Sequence, residues 1–132
     1  MPEIIYFAHS MRDYGTKQAK DARETIQRLI PTAWIYDPED LNWQGLQLRL
    51  GSYEAVYDYV IARSDRVVAL EHAEHIGRGV FDEIKRALNR PIPVGVLRRG
   101  VIHSVNGIQI VDPDDWKVRY GRIHRTVKKR NA

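Results

Sequence analysis

The chain contains no cysteine, so disulfides, thiolate catalysis and cysteine-ligated zinc are all excluded. It has no run of about 18 apolar residues, which excludes a membrane-spanning helix on hydropathy. Its opening, MPEIIYFAHS, carries an acid and no basic region and does not read as a signal peptide. A cytoplasmic setting is the default expectation. No repeat or low-complexity stretch is visible, and from Lys117 onward there are seven Lys/Arg residues and no acid. What is present, 132 residues with 43% hydrophobic and 29% charged, suits one globular domain able to bury a single core.

Strand and helix signals alternate. Ile4-Ile5-Tyr6-Phe7-Ala8 and Arg66-Val67-Val68-Ala69-Leu70 are too densely apolar for half-exposed strands and suit buried parallel ones. Ala33-Trp34-Ile35-Tyr36 and residues 93–97 read as two more. Ala19, Ala22, Ile26 and Leu29 recur at helical spacing, and Pro31 closes that helix. Ser52 is an N-cap for a second helix along Ala55, Val56, Val60 and Ile61. Phe81, Ile84, Ala87 and Leu88 mark a third, ending before Pro91. Residues 39–51 read as a long loop with one helical turn. Residues 101–105 and 108–111 around Asn106-Gly107 read as a hairpin with a type I′ turn.

The expected fold is therefore α/β: a single-domain, flavodoxin/Rossmann-like layer with a mostly parallel sheet flanked by helices, a C-terminal β-hairpin and a basic tail. The division is 1–115 for the domain and 116–132 for the basic extension. Ligands in such sheets gather beyond the carboxyl ends of the strands. That leaves three candidate loops, 9–16, 37–51 and 71–79.

The stretch HIGRGVFDEIKRAL, residues 75–88, holds the densest chemistry. Gly77 and Gly79 allow backbone to approach a ligand, and amides opening the next helix would face an anion or a sugar hydroxyl. Glu83 lies about one turn into that helix, where its positive end would keep a carboxylate ionised. A first-turn acid that merely favours the helix is the alternative.

Ser64-Asp65-Arg66-Val67-Val68-Ala69-Leu70, with Gly79-Val80-Phe81-Asp82-Glu83-Ile84-Lys85-Arg86-Ala87, resembles the nucleoside 2-deoxyribosyltransferase superfamily. That superfamily includes the deoxynucleoside 5′-monophosphate N-glycosidases. Tyr6-Phe7-Ala8-His9-Ser10-Met11-Arg12 is similar to its opening motif, and the resemblance covers roughly residues 3–97. It implies cleavage or transfer at an N-glycosidic bond, with Glu83 attacking the anomeric carbon and Tyr6 orienting that carboxylate. An acid on the preceding helix would protonate the departing base. Asp58 stands nearest, seven residues before Asp65 where the family has eight. Ser10 and Arg12 would meet a phosphate, with Gly77, Arg78 and Gly79 on the other loop and His9 at the mouth. Two departures stand out: Gly77 replaces a phosphate-binding serine, and Lys85 replaces the second glycine of Glu-x-Gly. The family needs no metal, no cofactor is expected, and its members assemble as dimers or larger homo-oligomers.

His9, His72 and His75, with Glu71 or Glu74, invite a metal reading. The spacing of His72-Ala73-Glu74-His75 does not favour it, and a loop histidine that titrates against substrate fits better. Trp43, in a polar stretch, is the aromatic residue placed to cover a nucleobase. Two other functions compete. One is a non-catalytic nucleotide or nucleic-acid module whose Arg119, Arg122, Arg125, Lys128, Lys129 and Arg130 hold phosphates. The other is a TIR-like NAD hydrolase, although Phe81-Asp82 stands where such domains usually carry Trp-Cys.

Overall fold

In the computed structural model, residues 2–121 are described. The strands β1 (Ile4–Ala8), β2 (Trp34–Tyr36), β3 (Arg66–Leu70), β4 (Val94–Arg98) and β5 (Val101–Val105) form one sheet in the order β2-β1-β3-β4-β5. The first four are parallel and β5 runs antiparallel to β4. Helices α1 (Lys17–Leu29), α2 (Trp43–Leu50), α3 (Tyr53–Ala62) and α4 (Arg78–Asn89) connect them. A separate pair, β6 (Ile108–Asp112) with β7 (Lys117–Tyr120), follows. The expected α/β class with a mostly parallel sheet is observed. No helix among the described residues is long and apolar enough to cross a membrane.

Side-chain alternation along the central strands divides the core. Tyr6, Ala8, Val67 and Ala69 share one cluster with Val56, Val60 and Ile61 of α3 and Val80, Ile84 and Ala87 of α4. Ile5, Phe7, Val68 and Leu70 face the other way and pack with Ala22 and Ile26 of α1. Both faces of β1 and β3 are thus covered, which is why their sequences are apolar without a gap. The helix starts match their caps: Thr16 Oγ1 accepts from Ala19 N, and Ser52 Oγ accepts from Ala55 N at 3.1 Å.

Several expectations need correction. Asn106-Gly107 is not a type I′ turn, since neither residue has positive φ. That role belongs to Arg99 (φ 49°) and Gly100 (φ 78°), which close β5 back onto β4, with Arg98 opposite Val101. Residues 101–105 therefore extend the main sheet, and residues 108–112 pair with 117–120 instead. The stretch 39–51 is no long loop. Asn42 caps α2 by accepting from Gly45 N at 3.1 Å, and Gly51 ends the helix in the left-handed region (φ 101°). The loop after β3 stops at Gly77, because Gly79 already lies inside α4. Folded chain continues past 115: Lys117 and Arg119 belong to β7. Arg122, Arg125, Lys128, Lys129 and Arg130 lie outside the described residues.

Candidate functional site

With β1 and β3 adjacent, the chain leaves β1 for β2 on one side and β3 for β4 on the other. Loops 9–16 and 71–77 therefore rise from the point where the strand order reverses, the crevice in which open α/β sheets hold ligands.

Tyr6 and Glu83 meet below this crevice. Strand alternation turns Tyr6 toward α4, and Glu83, the sixth residue of that helix, is on its inner face. The Tyr6 hydroxyl donates to Glu83 Oε2. Tyr6 is fully buried and Glu83 is 3% exposed. Burial pushes the Glu83 carboxyl up to about 8; the Tyr6 hydrogen bond and the Arg86 charge oppose that rise, while Asp82 adds to it. An ionised carboxylate held at the helix's positive end was expected, and the structure overturns it. Glu83 lies beyond the first turn, where that field fades, and its side chain is in a desolvated interior. Burial, then the charge of Glu83, also holds the Tyr14 and Tyr57 phenols above their ordinary range. Sequence reading had not grouped these two tyrosines with Glu83.

The other predicted residues divide into two sets. Ser10, Arg12 and Gly77 come together on the wall of a cleft of about 590 Å³. A Cβ on Gly77 would stand 3.4 Å from Ser10 Oγ, so the two loops touch here. A Cβ on Gly79 would meet nothing within 4 Å, so its helix turn is open. Neither glycine has positive φ, so backbone geometry does not demand them. Gly77 is the N-cap of α4 and supplies no side-chain cap. Arg12 is exposed and makes no ion pair among the described residues. Glu83 and Tyr6 do not line the cleft. Glu83 lies six residues beyond Gly77, about 9 Å along the helix axis.

His9, Asp58 and Arg78 are not brought to this carboxylate. His9 follows Phe7 onto the α1 side of the sheet, stacked on its ring with centroids 4.4 Å apart. Its Nε2 meets Asp37 Oδ1 at 2.7 Å, and its buried Nδ1 has no hydrogen-bond partner among the described residues. Asp37 also accepts from Arg23 at 3.2 Å and from Glu39 N at 3.0 Å. Burial alone would raise the Asp37 carboxyl, but these hydrogen bonds and the His9 and Arg23 charges hold it below its ordinary value. Asp58 is on α3 with Arg86 at 2.8 Å and Arg90 at 3.2 Å, an ion pair between helices at the surface. Arg78 opens α4, exposed and away from the cleft wall.

Trp43 is helical and partly buried. Its indole N–H donates to the Pro38 carbonyl at 2.7 Å, and its ring lies 5.1 Å from that of Tyr57. It packs α2 on α3. The histidines of the second loop are also occupied. His72 Nδ1 accepts from Gln18 at 2.6 Å, so Nε2 carries the proton and donates to Asp13 at 3.2 Å. His75 Nδ1 donates to Asp115 O at 3.2 Å. Among the described residues no group of three or more His, Asp or Glu could hold a metal ion.

The feature missed from sequence is a further part of the cleft lining. It is supplied by Asp114, Asp115 and Trp116, from the turn between β6 and β7. That hairpin is clamped to the second loop: Ile76 N donates to Trp116 O at 3.1 Å and Val118 N to Glu74 O at 2.8 Å. Between them, His72 and His75 exchange backbone hydrogen bonds across Ala73 (φ 52°) and Glu74 (φ 69°). Two non-glycine residues with positive φ are strained. Glu74→Gly is expected to raise stability by about 0.5–1 kcal/mol, read as a rise of roughly 2–5 °C in thermal unfolding. An unchanged or lowered midpoint would contradict the strain.

No protein-family model matches the chain, and no curated protein matches it. A crystal structure of a conserved protein from Enterococcus faecalis V583 is similar, with a TM-score of 0.52 and 24% identity, covering 73% of this chain. The chain spans 63% of that protein's length, and the likeness speaks for the α/β fold alone.

Proposed function

We propose that this chain cleaves, or transfers at, the N-glycosidic bond of a (deoxy)nucleoside or nucleoside 5′-monophosphate, with Glu83 as nucleophile. The observation that carries this reading is the buried Tyr6–Glu83 pair, set beneath the crevice between the two central strands. A buried carboxyl with a raised pKa and a specific hydrogen-bond partner is a candidate reactive group. Gly77, which shares the cleft wall with Ser10 and Arg12, stands six residues before Glu83, about 9 Å along the helix axis. The Arg12 guanidinium, which makes no ion pair among the described residues, suits a 5′-phosphate.

In the reaction, a Glu83 oxygen forms a bond to C1′ as the C1′–N bond breaks, and the electron pair leaves with the base, which takes up a proton from water. Water or an acceptor base then attacks C1′ and gives up a proton to solvent, the ester bond to Glu83 breaks, and the carboxylate returns. Tyr6 holds the attacking oxygen in place and shares its negative charge. Asp58, paired to two arginines, is left out of the reaction. The test is chromatography of nucleosides, their 5′-monophosphates and NAD after incubation with the wild type and with Glu83→Ala. Free base released by the wild type alone supports the reading. No release from any substrate, with an acceptor base added, sinks it and turns attention to binding without chemistry.

A further inference from the structure

The helix that carries Glu83 carries two arginines on the same stripe. Glu83, Arg86 and Arg90 recur at spacings of three and four residues along α4. The stripe leads from the buried carboxylate out to α3, where Asp58 Oδ1 lies 2.8 Å from Arg86 Nη1 and 3.2 Å from Arg90 Nη2. We infer that Arg86 is a positioning residue for Glu83: its guanidinium favours the ionised carboxylate, and Asp58 restrains it by holding that charge toward α3. The catalytic use of this arrangement rests on the glycosidic reading of Glu83; the coupling of the charges does not.

Three observations carry this. Residues three apart on an α-helix are neighbours on its surface, so the Glu83 and Arg86 side chains lie alongside one another. Each also has an open hydrogen-bonding group. Tyr6 donates to Glu83 Oε2, whereas Glu83 Oε1 accepts no hydrogen bond among the described residues, and the buried Arg86 Nε has no acceptor there. A donor buried without an acceptor costs free energy, and an ionised Glu83 would supply the acceptor. Finally, the guanidinium already acts across this gap: its charge opposes the effect of burial on Glu83 and bears on the Tyr57 phenol as well. Asp58 takes up part of that charge, because its carboxylate draws the Arg86 fork outward to a half-exposed position. The other groups facing Glu83 are Tyr6 from β1, Tyr14 from the first loop, Tyr57 from α3 and Asp82 on α4. The three phenols are held above their ordinary range, so they stay neutral while Glu83 titrates.

The experiment follows the Glu83 carboxyl carbon by NMR against pH in the full-length protein, at low ionic strength and without substrate. Its signal is assigned by its loss in Glu83→Gln. Asp58→Asn should lower the Glu83 pKa from about 8 by roughly one pH unit, and Arg86→Gln should raise it by a similar amount. Arg86→Lys, which keeps the charge, should stay closer to the wild type than Arg86→Gln does. Adding Asp58→Asn to Arg86→Gln should move Glu83 no further, because the effect of Asp58 passes through Arg86. Base release should follow the titration: at pH 6, kcat/KM rises about tenfold in Asp58→Asn and falls about tenfold in Arg86→Gln. A Glu83 titration that moves in neither variant overturns the inference and leaves the glycosidic reading intact. A fall in kcat at every pH in Asp58→Asn makes Asp58 an acid in the reaction and overturns it too. Opposite shifts in the two variants, with no base released by the wild type, uphold the coupling and sink the glycosidic reading instead. If Arg86→Gln does not fold, Asp58→Asn decides alone, since it alters a half-exposed side chain: a lowered Glu83 pKa supports the inference, and an unchanged or raised one overturns it.

Discussion

Glu83→Gln is expected to lower base release by roughly a thousandfold or more, because the amide cannot form the glycosyl ester. In the proposed reaction only the ionised carboxylate can attack. With the carboxyl pushed up to about 8, kcat/KM should climb with pH and gain roughly 50-fold between pH 6 and 8 before levelling. Tyr6→Phe removes the hydrogen bond that opposes burial, so its rising limb should move to higher pH. A flat profile between pH 6 and 8 would contradict a buried, proton-holding Glu83.

The same carboxyl has a consequence for stability. Its folded pKa is raised above the ordinary value of 4.5, so the neutral acid is what the fold prefers. The stability this provides is fully present below pH 4.5 and is lost progressively as pH rises toward 8. The loss is on the order of a few kcal/mol. Glu83→Gln, neutral at every pH, should lack this decline and gain on the wild type toward pH 8. Denaturant midpoints at pH 5 and pH 8 separate this effect from loss of activity.

Asp37→Ala is expected to cost about 2–4 kcal/mol, since it strips an acceptor from His9, Arg23 and the Glu39 N–H. For a chain of this size that is a fall of roughly 10 °C in Tm. Here the sign with pH is the reverse of that for Glu83. The Asp37 carboxyl is held below its ordinary 3.8, so its contribution is present above that value and is lost as pH falls through the lower folded pKa. The variant should therefore converge on the wild type in acid. A midpoint within 1 °C of the wild type at pH 7 would mean that the buried His9–Asp37 contact contributes little.

Much of the fold was legible because burial on both faces leaves a simple mark. β1 and β3 match the two densest apolar runs residue for residue, and Ser52 caps the helix it was expected to cap. Turns were less legible. Asn-Gly is the stronger local signal, yet the strand pairing placed the two positive φ angles at Arg99-Gly100. Asn106-Gly107 instead runs beside Gly121, whose Cβ would fall 2.5 Å from Asn106 Oδ1. Helix α2 escaped notice because its apolar residues lack a clean period, even though Asn42 and Gly51 mark its ends.

The candidate site follows the same division. The sequence by itself placed the candidate groups along the chain, a carboxylate early in a helix after a buried strand, and a hydroxyl and a guanidinium after the first strand. The tertiary structure alone decided their surroundings. Alternation in β1 turned Tyr6 toward Glu83 and His9 away from it. Packing of α4 on the sheet took the carboxylate out of water and raised its pKa. The β6–β7 turn carried Trp116 across to Ser10, 106 residues distant in the chain. Desolvation and long-range proximity are properties of the packed chain, and no local stretch of sequence encodes either.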